Sequence, residues 1–174
     1  VTKYSKQPKY KLKGKITVND LKAITCKFSP EIIFSLNLGN QKLEEIGEIE
    51  TCINLVNLDL RDNQIFSLTP LKNCPKIQIL NLSNNLISGL DGLSELKELY
   101  FLRLEGNNIK TQIMLNQLNS LSRLRTLYLQ TPDYTNANPI CKVQNYRANT
   151  FESCKSLQRL DGTPQSFIDP YEEI

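Results

Sequence analysis

The chain has 174 residues, 22% of them charged, a net charge of +3 and no histidine. A charge that small and that mixed does not demand an anionic partner, and without imidazole the commonest general base and metal ligand are missing. No Gly-rich phosphate loop, GxSxG elbow or CxxC pair occurs, and no apolar run of about 18 residues is long enough to cross a bilayer, so neither an enzyme nor a membrane protein is expected.

Residues 1–15 read as a basic tail, in which Lys3, Lys6, Lys9, Lys11, Lys13 and Lys15 are interleaved with Tyr4 and Tyr10 without an apolar period. Such a segment is expected to be disordered in isolation. It is also suited to order against an acidic partner, such as a tubulin surface or a nucleic-acid backbone, through Lys9, Tyr10, Lys11 and Lys13. A third reading adds Lys9-Tyr10-Lys11-Leu12-Lys13 as an edge strand to a neighbouring sheet. Beyond it, Val18-Asn19-Asp20-Leu21-Lys22-Ala23-Ile24 reads as a short helix capped by Thr17, with Asp20 at the third position. Phe28 and a turn at Ser29-Pro30-Glu31 lead into the first strand.

Ile33, Leu55, Ile77 and Leu99 then stand 22 residues apart, each opening the frame LxxLxLxxNxIxxL with two further apolar positions. One copy is too small to bury its own apolar residues, so the copies must stack as a solenoid of leucine-rich repeats. The LxL segment alternates with period 2, the mark of a short strand, and successive strands form a parallel sheet on the inner face of an arc. Asn63, Asn85 and Asn107 follow the strands where the chain turns. A buried side-chain amide there satisfies backbone groups of its own and adjacent turns, so these residues are structural. Repeat one carries Gln41 instead and is expected to be looser. Repeat four runs to Leu124, 25 residues after Leu99, and the insertion after Ile109 predicts a longer convex turn or short helix. In repeat five Asn138 arrives late, so residues 131–136 must bulge as a loop, a common seat of function. Cys52 and Cys74 share a core-facing position and read as buried thiols rather than a redox pair. Five scattered cysteines without paired caps point to an intracellular protein.

Near the end, Tyr146-Arg147-Ala148-Asn149-Thr150-Phe151 suggests a helix across the open core. Leu157-Gln158-Arg159-Leu160-Asp161-Gly162 restarts the strand pattern once, and the pattern stops at Gly162-Thr163-Pro164. With Asn138-Pro139, this resembles the C-terminal cap of the 22-residue class of intracellular leucine-rich repeat proteins. That class includes the phosphatase-1 regulatory subunit, the spliceosomal A′ protein, the axonemal dynein light chain and the acidic nuclear phosphoproteins. The Ile16-Thr17 start, Phe28-Ser29-x-Glu31 and the loop ahead of Asn138-Pro139-Ile140-Cys141 are most similar to the leucine-rich repeat-containing protein 61 type. The resemblance covers residues 16–164 and leaves 165–174 as a tail. It implies an α/β fold: a right-handed leucine-rich repeat solenoid with a short parallel concave sheet, an N-terminal helical cap and a C-terminal repeat cap. It further implies a non-enzymatic protein-binding module with no cofactor and no small-molecule substrate. The expected role is an adaptor in a large intracellular assembly, ciliary or axonemal. The alternative is a regulatory subunit docking on a phosphatase or a nuclear protein, so cytoplasm, cilium and nucleus are the settings.

The outward-pointing strand residues fall into three columns: Phe34, Val56, Gln78, Tyr100, Arg125; then Ser35, Asn57, Ile79, Phe101, Thr126; then Asn37, Asp59, Asn81, Arg103, Tyr128. Most are polar, as a solvated face should be. Ile79, Tyr100, Phe101 and Tyr128, with Arg103 between them and Arg125 beside them, instead have the composition of a binding hot spot. The competing reading is that the 131–136 loop or the N-terminal tail covers them. Asp59, Arg61 and Asp62 read either as the rim of the same site or as a solvated charge cluster. The columns form no basic stripe, so nucleic-acid binding through the tail is a minor reading.

Overall fold

The structure, a computed structural model, describes residue 12 and residues 14–166; the expected tail contacts Lys9, Tyr10, Lys11 and Lys13 lie outside the described residues. Each repeat contributes one three-residue strand: β1 (Ser35–Asn37), β2 (Asn57–Asp59), β3 (Ile79–Asn81), β4 (Phe101–Arg103) and β5 (Thr126–Tyr128). Neighbouring strands pair in parallel and in strict register, so that Leu36, Leu58, Leu80, Leu102 and Leu127 form one column. Those leucines and the ones two residues on face inward and are almost wholly buried. Burial of each is worth roughly 1.5–3 kcal/mol, and each obtains it from its neighbours in the stack.

Where the strands end, an asparagine ladder holds the repeats together. Asn85 Nδ2 donates to Leu60 O (3.0 Å) and Leu82 O (3.1 Å), while its Oδ1 accepts from Ile65 N (3.0 Å). Asn63 does the same with Leu38 O, Leu60 O and Leu43 N, and Asn107 with Leu82 O, Leu104 O and Ile87 N. The late Asn138 reaches the same place, donating to Leu104 O and Leu129 O and accepting from Ile109 N, because residues 131–136 leave the stack as a loop. The Gln41 side chain does not join the ladder; among the described residues its Nε2 reaches only Gly39 O in its own turn, at 3.4 Å, while its backbone N–H donates to Asn63 Oδ1.

The convex side is built of short 3₁₀ segments, Gly47–Thr51, Thr69–Asn73 and Asn116–Ser120, the last preceded by a helical turn, α2 (Gln112–Leu115). That turn uses the insertion after Ile109. Cys52 and Cys74 are fully buried on this side and free, and burial pushes the Cys74 thiol up to about 12. A thiol held protonated in this way is inert, in keeping with packing.

Before the first repeat, α1 (Val18–Thr25) starts with a reciprocal capping box: Asp20 N donates to Thr17 Oγ1, and Thr17 N donates to Asp20 Oδ2. The strand-like stretch leading to it lies beside the turn of repeat one, where Gly14 O accepts from Glu44 N and Glu45 N, and Ile16 O from Glu48 N. At the other end α3 (Tyr146–Ser153) leads to β6 (Arg159–Leu160), which continues the parallel order beside β5. The sheet does not stop there. Asp161 and Gly162 take positive φ (53° and 85°), and β7 (Thr163–Pro164) folds back antiparallel to β6. The repeat frame alone did not reveal this reversal, since it is set by two turn residues and not by an apolar period.

Candidate functional site

Strand register brings the expected concave residues together. Ile79, Phe101 and Thr126 are adjacent in one column, and Asn81, Arg103 and Tyr128 in the next. Fixed backbone pairing beneath them sets their spacing, so the surface they make is preformed. The Phe101 and Tyr128 rings lie 5.9 Å apart between centroids, tilted at 49°. Arg103 lies over the Tyr128 ring with its Cζ 4.9 Å from the centroid, a cation–π arrangement.

Glu105, two residues further along the chain, fixes that arginine. Arg103 Nε donates to Glu105 Oε1 at 2.6 Å, and Nη2 makes an ion pair with the same oxygen. The Glu105 side chain is only 3% exposed, and its second oxygen, Oε2, is buried without a partner among the described residues. The carboxylate therefore neutralises Arg103 and holds it over the ring. As a result the patch presents an apolar, aromatic surface, with little net positive charge.

Around this centre the other expected residues fall into different roles. Tyr100 is 41% exposed, and Ile79, Phe101, Arg103 and Tyr128 are half-buried. Arg125 is held in place: its Nη1 donates to Ser122 O and Ser156 O, each at 2.9 Å, tying repeat five to the following turn. Asp59 and Arg61 sit two strands from Arg103 and satisfy each other, with Arg61 Nε 3.7 Å from Asp59 Oδ2 and 3.9 Å from Asp62 Oδ2. Their exposure makes that cluster worth little to stability.

The loop at 131–136 is knit to itself. Thr131 Oγ1 accepts from Thr135 N and Asn136 N, and Asp133 Oδ1 accepts from Thr135 Oγ1. Hydrogen bonding from the side chains of Thr131 and then Thr135 holds the Asp133 carboxyl below its ordinary value. The loop meets the stack where Gly106 N donates to Asn136 O, beyond the strand ends, and it leaves the Tyr100 ring and part of Ile79 and Phe101 open. Two residues were missed by the column reading. Arg159 is exposed and lies in register with Thr126, and extending the columns into the LxxL of the last repeat would have found it. Glu105 has no sequence mark, because a Glu after a strand is ordinary until its burial is known.

The leucine rich repeat family profile matches residues 53–109, and the chain carries leucine-rich repeats as its period indicates. No curated protein matches it in sequence. A chain of the Drosophila melanogaster SNF/U2A′ complex superposes with a TM-score of 0.71 at 26% identity, over 91% of this chain and 87% of that one. Two internalins of Listeria monocytogenes share the fold. InlF does so with a TM-score of 0.57 at 22% identity over 82% of this chain, and internalin C2 with 0.58 at 29% over 83%. The chain spans about half the length of these internalins, 54% in each case.

Proposed function

We propose that this chain is a protein-binding module whose concave sheet is the docking surface, with Phe101, Tyr128, Tyr100 and Ile79 as its apolar anchors. The observation that carries this reading is the set Phe101–Tyr128–Arg103–Glu105. Two partly open aromatic rings on a rigid sheet, with a guanidinium pinned on one of them, form a preorganised contact that loses little side-chain freedom when covered. Asp59 and Arg61 form its distant rim, and Arg125 supports it through the carbonyls it holds. The helix α1 and the α3–β7 segment act as the polar ends that such a stack requires.

Among the roles that the sequence raised, a subunit docking on one defined partner fits best. A chain of a two-component complex, SNF/U2A′, superposes over most of its own length. The adaptor in a ciliary or axonemal assembly is the second reading and rests on the resemblance of the terminal cap to the dynein light chain class.

Capture of partners from an extract by the intact chain, compared with Phe101→Ala and Tyr128→Ala, tests the surface. Loss of an anchor at such a cluster costs about 2 kcal/mol or more of binding, roughly a 30-fold weaker complex. If both variants retain every partner at full strength while remaining folded, the concave sheet is not the interface.

A further inference from the structure

On and beside the concave side of β4, β5 and β6, the outward-facing charges are Arg103, Arg125, Arg159 and Glu105. Glu105 is engaged by Arg103. Arg125 gives its Nη1 to the carbonyls of Ser122 and Ser156, which leaves its charge unbalanced, and Glu152 and Lys155 beside those serines offset each other. Arg159 is exposed and meets no carboxylate among the described residues. Asp133 lies beyond the strand ends and is held by Thr135 of its own loop. Two unbalanced cations therefore flank the open rings of Tyr100 and Phe101.

The chain supplies the opposite chemistry at this end of the stack. β7 runs antiparallel to β6, and Gln165 N donates to Gln158 O (3.0 Å), so the chain leaves the sheet in the row that continues through Arg125 to Tyr100. Residues 167–174, outside the described residues, carry Asp169, Glu172 and Glu173 beside Phe167, Ile168 and Tyr171, with no lysine or arginine. Three strand spacings, roughly 14 Å, separate Gln165 from Tyr100. Tyr171 is six residues beyond Gln165, and an extended chain of that length covers roughly 20 Å. Residues 1–15 hold six lysines and no carboxylate, so they would meet like charge on this surface, and they enter at the far end of the stack.

We propose that residues 167–174 are an intramolecular ligand of the concave surface, with Tyr171 against Tyr100 and Phe101 and the three carboxylates facing Arg159 and Arg125. This occupancy rests on the reading of that surface as the docking site and adds what it takes: a short acidic segment bearing an aromatic ring. A partner of the same chemistry has to displace the segment, so its apparent affinity is reduced by the fraction of chains in which the surface is covered.

In the isotope-labelled full chain, NMR should show ring-to-ring contacts between Tyr171 and Phe101. Neutralising the segment in place, with Asp169→Asn, Glu172→Gln and Glu173→Gln together, should abolish them and shift the Phe101 and Tyr128 ring signals. The peptide Phe-Ile-Asp-Pro-Tyr-Glu-Glu-Ile should bind that variant about tenfold more tightly than the native chain, whose surface is already filled. Adding Arg159→Glu, at an exposed side chain, should weaken the peptide about tenfold. Absence of contacts between Tyr171 and the concave rings overturns the proposal, as does equal peptide binding to the native and neutralised chains. Equal binding after Arg159→Glu overturns the charge pairing. Contacts that grow with protein concentration assign the segment to a second copy, and contacts with the lysines of residues 1–15 assign it to the other tail; either result overturns the intramolecular docking. If the segment never docks while Phe101→Ala still loses partners from an extract, the concave surface stands as a docking site and only this occupant falls. If the segment docks while Phe101→Ala retains every partner, the occupant stands and the surface serves the chain's own segment alone.

Discussion

At the C-terminal end the sheet folds back on itself and closes with Pro164, which has no N–H to offer, whereas at the N-terminal end the outer side of β1 is unpaired among the described residues. The closed end is held by buried polar groups. Asp161 accepts from Leu129 N (2.8 Å), Gln130 N (3.1 Å) and Tyr146 Oη (2.6 Å). Arg147 donates to Leu160 O, Thr163 Oγ1 and Pro164 O, tying α3 to the terminal hairpin. The open end is held mostly by backbone, through the carbonyls of Gly14 and Ile16 and the fully buried Leu21. An end secured by side-chain networks is finished structure. One secured mostly by backbone depends on the local conformation of residues 14–16, and the difference separates an end locked by buried polar groups from one locked by chain geometry.

The largest break in this comparison should come from Asp161→Ala. It strands two buried amides and the Tyr146 hydroxyl, at about 1–3 kcal/mol each, so urea unfolding should show a loss of roughly 4 kcal/mol. Asp161→Asn keeps an acceptor for the amides and should cost far less. Burial raises the Asp161 carboxyl above its ordinary value, despite the opposing pull of its hydrogen bonds and of Arg147. The folded state therefore holds that proton more tightly than the unfolded chain does. The stabilisation is complete below the unfolded value and is lost as pH rises through the folded one. Relative to the Asn variant, the native chain should gain stability as pH falls from neutral into the carboxylate range; a gap that widens in the other direction would contradict the burial argument.

At the open end the largest expected effect is smaller. Gly47 has φ +65°, and a Cβ there would overlap the Ile16 backbone. Gly47→Ala should therefore cost about 2 kcal/mol, combining left-handed strain with displacement of residues 14–16. Hydrogen exchange should show the loss concentrated in repeat one. Smallest is Gln41→Ala, expected within about 0.5 kcal/mol, because the bond Gln41 makes to another repeat comes from its backbone N–H, which donates to Asn63 Oδ1 and is kept in the variant, while its side chain reaches only Gly39 O among the described residues. Its failure to matter would show why the first repeat dispenses with Asn: among the described residues no strand precedes it that needs a partner.

The candidate site divides in the same way between what the chain pattern shows and what it conceals. Ile79, Phe101, Arg103 and Tyr128 were found by counting along the 22-residue frame, because strand register copies that frame into space. Arg125 was found by the same count, but its Nη1 turned out to be engaged by Ser122 O, just ahead of it in the chain, and by Ser156 O, in the turn one repeat further on. Glu105 escaped altogether. Its importance comes from burial beneath its neighbours, and no local pattern records how closely repeat five covers repeat four.

By itself, then, the sequence determined the stacked repeats, the inward leucines, the asparagine ladder and the two terminal helices, read over 18–24 and 146–151 and found over Val18–Thr25 and Tyr146–Ser153. These follow from periodicity, capping and residue type, which act over one repeat or less. Only the tertiary structure decided the reversal into β7, the neutralised arginine on Tyr128 and the Arg147 bonds that tie α3 to the terminal hairpin. Each of those depends on which groups meet across repeats, and that is settled only when the solenoid is assembled.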